Sequence, residues 1–166
     1  MTSKQYWLLK SEPSEFSIDD LRARPDQTEP WDGVRNYQAR NFLRDLMKAG
    51  DEALFHHSGK EPAIVGVVTV VRPGYPDHTA WDPDSKHFDP RSTPEAPVWF
   101  MVDVRLKEVF ETPLTLTELR KMPELESMML LRKGVRLSVQ PVTPEEFQAI
   151  VSRARMSGRS AQATSR

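Results

Sequence analysis

A-I-V-G-V-V-T-V-V-R, residues 63–72, is an almost unbroken run of apolar, mostly β-branched side chains. Such a run reads as a strand. A strand with one wet face alternates apolar and polar residues; this one does not, so both of its faces are expected to be covered. The preceding E-A-L-F-H-H, residues 52–57, has the same character and is joined to it by the turn-like S-G-K-E-P, residues 58–62, so the two predict a hairpin. Further out lie Q-Y-W-L-L at 5–9, ended by Ser11, Glu12 and Pro13, then V-W-F-M-V-D-V-R-L-K-E-V-F at 98–110 and R-L-S-V-Q-P-V at 136–142. A small barrel built from these strands would also remove the exposed edges that so apolar a sheet cannot leave bare.

Helices fall between the strands in no regular β-α-β alternation. Ser17, with Asp20 three residues on, predicts a short helix. Asn36 predicts the cap of a second, in which Ala39, Phe42, Leu43, Leu46 and Met47 recur at helical spacing as far as Lys48, and Gly50 marks the stop. Residues 114–121 and 123–131 read as short helices. Thr143, Pro144 and Glu146 form the signature of a capping box that opens a closing helix over 147–154. Residues 73–97, rich in proline and aspartate, read as a long packed loop. The sum is an α+β fold: about five or six mostly antiparallel strands in an open barrel, flanked by short helices.

A chain of 166 residues with 38% hydrophobic and 28% charged residues suits one globular domain. Its expected extent is residues 1–152, followed by a flexible basic tail over 153–166. No apolar run approaches the roughly 20 residues of a spanning helix, and the first residues lack a secretory signal, so a cytoplasmic location and no membrane partner are expected. The absence of cysteine excludes disulfides, thiolate nucleophiles and zinc ribbons. The net charge is −1, but Arg153, Arg155, Arg159 and Arg166 stand in a tail without acids, leaving −5 on residues 1–152. A body of that sign draws a phosphate backbone only through local clusters of positive charge.

One such cluster is W-D-G-V-R-N-Y-Q-A-R-N-F, residues 31–42. Trp31 and Tyr37 offer ring faces for stacking, while Asn36, Gln38 and Asn41 offer paired donors and acceptors able to read a nucleobase edge. The packing alternative, in which Trp31 is core and the polar residues are caps or solvated positions, explains the composition equally well. His56 and His57 alternate to opposite faces of their strand and so do not share a metal. Asp77, His78, Asp82, Asp84, His87 and Asp89 crowd the long loop with possible ligands but match no metal motif. Neither G-x-S-x-G nor a phosphate-binding G-x-x-x-x-G-K occurs.

Five ordered motifs, Y-W-L-L-K-S-E-P at 6–13, W-D-G-V-R-N-Y-Q-A-R-N-F at 31–42, H-S at 57–58, Y-P-D-H-T at 75–79 and R-L-S-V-Q-P at 136–141, resemble those of the EVE domain proteins of the PUA-like superfamily. The resemblance covers essentially residues 5–151. It implies a PUA-like open β-barrel similar to the YTH domain, and non-catalytic recognition of a modified nucleobase, chiefly modified cytosine in DNA, captured out of its stack. The implied ligand-binding residues are Lys10, Ser11, Glu12, Trp31, Val34, Arg35, Asn36, His57, Ser58, Ser138 and Pro141, supported by Tyr37, Gln38, Arg40 and Asn41. In this assignment Trp31 stacks, Asn36 and Ser58 bond the base edge, and Lys10, Arg35 and Arg40 hold phosphate or orient the pocket. No catalytic residue, metal or cofactor is implied, and the expected partner is nucleic acid carrying the modified base. The alternative is a nucleic-acid or small-molecule hydrolase of the related ASCH type, using Lys10, Glu12 or a pocket histidine as acid or base. His56 departs from the family, whose members often carry tyrosine there; alternation turns it away from His57, which favours a surface or secondary role.

Overall fold

The computed structural model of the chain describes residues 3–164. Six strands form one open sheet, β1 (Tyr6–Ser11), β2 (Thr28–Pro30), β3 (Glu52–His57), β4 (Ala63–Pro76), β5 (Phe100–Thr115) and β6 (Val139–Val142). Their order is β2-β5-β4-β3-β1-β6. All neighbours are antiparallel except β1 and β3, which run parallel with Leu8 opposite Leu54 and Lys10 opposite His56. The expected hairpin is β3-β4.

Strand β4 is covered on both faces, and its irregular pattern has a structural cause. Ala63, Val65, Val68 and Val70 enter one core, whereas Ile64 and Val67 enter the other. Register shifts against β5 between Ile64 and Gly66 and between Val67 and Val68 interrupt the alternation and bend the sheet. Gly66 makes this possible: a Cβ there would stand 2.4 Å from the backbone oxygen of Glu108.

The first core lies between the sheet and two short helices, α1 (Ile18–Arg22) and α2 (Tyr37–Asn41), and contains Trp7, Leu9, Ile18, Leu21, Trp31, Leu43 and Phe55. The second lies under α3 (Leu116–Arg120) and α4 (Pro144–Thr164) and contains Leu8, Leu54, Ile64, Leu114, Leu119, Phe147, Ile150 and Ala154. All three expected N-caps form. Ser17 and Asp20 make a capping box, Asn36 Oδ1 accepts from Ala39 N–H at 3.0 Å, and Thr143 and Glu146 exchange bonds of 3.0 and 3.1 Å.

Several boundaries differ from the sequence reading. Strand β1 continues through Lys10 and Ser11, and β4 reaches Pro76 because Tyr75 and Pro76 pair with Met101 and Phe100 across the sheet. Strand β2, not foreseen, is only three residues long and exists through its pairing with β5. The second helix gives way after Asn41 to a π-helical turn, Phe42–Leu46, closed by the bond from Met47 N–H to the Phe42 carbonyl. Residues 153–164, expected as a tail, continue α4; Ala154 is buried and Arg155 Nε reaches Glu108 Oε1 at 3.2 Å. The tail's last two residues lie outside the described ones. His56 corrects the expectation of a surface position: it is 2% exposed, and neither ring nitrogen has a hydrogen-bond partner. No helix among the described residues is long and apolar enough to cross a membrane.

Candidate functional site

The end of β1, the segment following β2 and part of the 73–97 loop enclose a cleft of about 710 Å³. Its walls are Lys10, Ser11, Glu12, Glu15, Phe16, Arg24, Glu29, Pro30, Trp31, Asp32, Gly33, Val34, Arg35, Ser85, Lys86, His87 and Ser138. A volume of this order suits a ligand of base or nucleotide size. Trp31 forms its aromatic wall. The indole is 7% exposed and stands edge-on to Phe55 and Phe16, with ring centroids 5.3 and 6.3 Å away, so its orientation is fixed by the core behind it. Trp31 is thus a core residue that also lines the cleft.

Asp77, at the start of the loop, locks the segment from Trp31 to Asn36 in place. Its carboxylate is fully buried and accepts from Gly33 N–H at 2.9 Å, Arg35 Nη1 at 3.0 Å, Thr79 N–H at 2.9 Å and the Thr79 hydroxyl at 2.5 Å. Burial by itself pushes this carboxyl up, but the Thr79, Gly33 and Arg35 donors outweigh it and hold the group below the ordinary carboxylate value. Arg35 spends its remaining donors locally, on the carbonyl of Val34 at 3.0 Å and on that of His87 at 3.1 and 2.7 Å. It is a clamp between the two segments of the wall, a geometry in keeping with the orienting rather than the phosphate-holding one of the two roles expected of it.

Gly33 has φ +78°, and a Cβ there would fall 2.6–2.9 Å from the imidazole atoms of His87. The histidine ring thus packs directly on the glycine backbone. Gly33→Ala is expected to cost roughly 1–3 kcal/mol, from the left-handed conformation and displacement of His87; urea unfolding compared with wild type measures it.

Asp32 is exposed and lines the cleft. No side chain among the described residues donates a hydrogen bond to it. Burial beside the cleft, and then the negative charge of Asp77, push its carboxyl above the ordinary value, while His87 opposes the shift. Lys10, half-buried at the other side, is pushed down by burial. Arg24 is paired with Glu29, and Lys86 with Glu15.

Of the residues expected at the site, the structure brings together Lys10, Ser11, Glu12, Trp31, Val34, Arg35 and Ser138. The others stand elsewhere. Asn36 uses its side-chain oxygen as the α2 cap, is exposed and does not line the cleft. His57 Nε2 accepts from Ile18 N–H at 3.1 Å, which fastens α1 to β3, and Ser58 donates its N–H to the Ser11 carbonyl. Pro141 lies opposite Trp7 and lines a different groove with Tyr6, Phe42 and Leu46. Gln38 and Asn41 are exposed on α2; Asn41 takes bonds from Arg40, whose Nη1 reaches the Val98 carbonyl at 2.9 Å. Tyr37 lines a smaller neighbouring cleft. Glu12, offered with Lys10 or a pocket histidine as acid or base, takes the Ser14 hydroxyl, and His57 accepts from Ile18 N–H while its imidazole feels the Glu12 charge.

Asp32, Asp77 and His87 were missed as site residues. The signal for two of them was present, in the second letter of W-D-G and the third of Y-P-D-H-T, whereas His87 lies in no motif. Among the described residues no three acidic or histidine side chains converge on a point that could hold a metal ion.

The chain matches the sequence model of the EVE domain over residues 5–153. It is 47% identical to thymocyte nuclear protein 1 of Mus musculus over 165 residues, covering 89% of this chain and 72% of that protein. It is similar in structure to a hypothetical protein from Leishmania major, with TM-score 0.87, 49% identity, and 93% and 97% of the two chains covered. It is likewise similar to the human THYN1 protein in a crystal structure with 5-methylcytosine-containing DNA, with TM-score 0.85, 44% identity, and 91% and 98% covered.

Proposed function

The chain belongs to the EVE domain family, and on that premise we propose that it binds DNA and takes a modified cytosine, extruded from the base stack, into the cleft beside Trp31. The observation that carries this reading is Asp32, which lines an aromatic-walled cleft and takes no hydrogen bond from another side chain among the described residues. Cytosine presents an N4 amino donor where thymine presents an oxygen acceptor, so a carboxylate at this edge attracts the first and repels the second. Trp31 supplies a flat apolar surface for the ring, and Phe16 and Val34 add to it. Lys10 and Lys86 place positive charge at the mouth, where the backbone of an extruded nucleotide runs. The human relative, solved with DNA containing 5-methylcytosine, supports the ligand class.

The test uses duplexes carrying 5-methylcytosine, 5-hydroxymethylcytosine, cytosine or thymine at one position, bound to wild type and to Asp32→Ala. Wild type is expected to favour a modified cytosine, and Asp32→Ala to lose about 1–3 kcal/mol of discrimination against thymine, roughly 5- to 150-fold, with an unchanged melting temperature. Equal discrimination by both proteins sinks the role of Asp32. Recovery of a cleaved or deaminated oligonucleotide would move the reading to an enzyme.

A further inference from the structure

A second, smaller cleft of about 270 Å³ adjoins the first and shares Arg35, Lys86 and His87 with it. Its remaining walls are Tyr37, Phe88, Asp89, Arg91 and Trp99. We propose that this cleft holds the nucleotide next to the extruded base, with Phe88 as its stacking surface, Tyr37 as its side wall, and Arg91 and Lys86 as the cations that meet its phosphate. The proposal rests on the base-reading function above and extends it to the flanking strand.

Phe88 is 43% exposed and Tyr37 52% exposed, and both are large rings left in water on one side of one cleft. Tyr37 is held against Trp99, with centroids 4.9 Å apart, and beneath the guanidinium of Arg40 at 5.0 Å. Phe88 sits between two anchored residues. The carbonyl of His87 receives both Arg35 bonds, while Asp89 donates its N–H to the Ala80 carbonyl at 2.7 Å and accepts from Trp99 Nε1 at 2.8 Å. With the backbone pinned on either side, the Phe88 ring stays presented to solvent, and an apolar ring so held is a ready platform for another flat group.

The charge in this cleft selects the kind of flat group. Arg35, Lys86 and Arg91 line it with one acid, Asp89; Arg35 is held by buried Asp77, whereas the pairs of Lys86 with Glu15 and of Arg91 with Asp89 are exposed and free to exchange for a phosphate. Asp89 takes Nε and Nη2 of Arg91 and so orients the guanidinium, leaving Nη1 for an incoming anion. Aromatic rings beside oriented cations are the arrangement that holds stacked bases and their phosphates. Arg35, Lys86 and His87 line both clefts, so the two adjoin along one shared wall, as sites for successive nucleotides of one strand must.

Two ligands separate this proposal from the base-reading one: free 5-methyl-2′-deoxycytidine monophosphate, which fills only the large cleft, and an oligonucleotide with a central 5-methylcytosine. Phe88→Ala is expected to weaken the oligonucleotide by roughly 5- to 150-fold and to leave the mononucleotide unchanged, while Phe88→Trp retains oligonucleotide affinity. Arg91→Ala is expected to lower the slope of log affinity against log salt by about 0.7–0.9. Wild-type oligonucleotide affinity in Phe88→Ala, or an equal loss with the mononucleotide, overturns the proposal. If wild type binds methylated and unmethylated oligonucleotides equally, the base-reading function fails, and a Phe88→Ala loss on both still supports the cleft as a nucleotide site.

Discussion

Asp77→Ala is expected to lower the unfolding free energy by about 3–5 kcal/mol, the usual cost of removing one partner from a buried ion pair. The side chain is fully buried, and its loss strands four donors at once: the Gly33 amide, the Thr79 amide and hydroxyl, and one arm of Arg35. Arg35 would be left partly buried without its counter-charge, and a donor abandoned in the interior carries its full desolvation cost. The consequence reaches beyond stability, because this carboxylate joins the 73–97 loop to the segment that carries Trp31 and Asp32. Asp77→Ala should therefore also lose ligand binding at temperatures where the protein is still folded. Urea unfolding with an unchanged m-value measures the first effect, and titration with modified oligonucleotides the second. The double replacement Asp77→Ala with Arg35→Met should recover part of the stability, since it removes the stranded charge too. A loss below about 1 kcal/mol would mean that water replaces the carboxylate and that the hub does not hold the loop.

Acidification is expected to destabilise the protein through His56. Burial, then the charges of Lys10 and His57, lower its folded pKa from 6.5 to about 4. Between those values the unfolded chain binds a proton at this imidazole and the native chain does not, so stability rises with pH through the window. The contribution is fully present above pH 6.5, falls as the pH drops toward 4, and stays lost below it. Its full size is roughly 3 kcal/mol. His57, whose pKa burial also lowers, acts in the same direction. Two unpartnered ring nitrogens are costly even when neutral, so His56→Leu should flatten the pH dependence and raise stability at pH 7. Unfolding followed from pH 7 to pH 4 in both proteins checks this. An equal slope in His56→Leu would assign the acid sensitivity to other groups.

Much of the fold was legible because its determinants are short-range. The caps at Ser17, Asn36 and Thr143 bond to groups three residues away, so a single helix start contains everything needed to recognise it. The strand at 63–72 announced its burial by composition alone. What escaped was decided by partners elsewhere in the chain. Strand β2 and the last residues of β4 are strands through pairing with β5, and nothing in T-E-P or G-Y-P states that preference. Asn36 shows the converse: its side chain has the chemistry to read a base, but the helix start claims its oxygen.

The sequence by itself determined the family, the α+β class, the doubly covered central strand and most of the helix starts, since these follow from local hydrogen bonding, side-chain period and ordered motifs. Only the tertiary structure decided which residues share the cleft. Arg35 finds Asp77 42 positions away and His87 52 positions away, and His56 proves buried although its strand neighbours could not say what covers it. Composition specifies which groups a chain possesses; packing across the sheet consumes some of them as caps and clamps and leaves others, Asp32 above all, lining the open cleft.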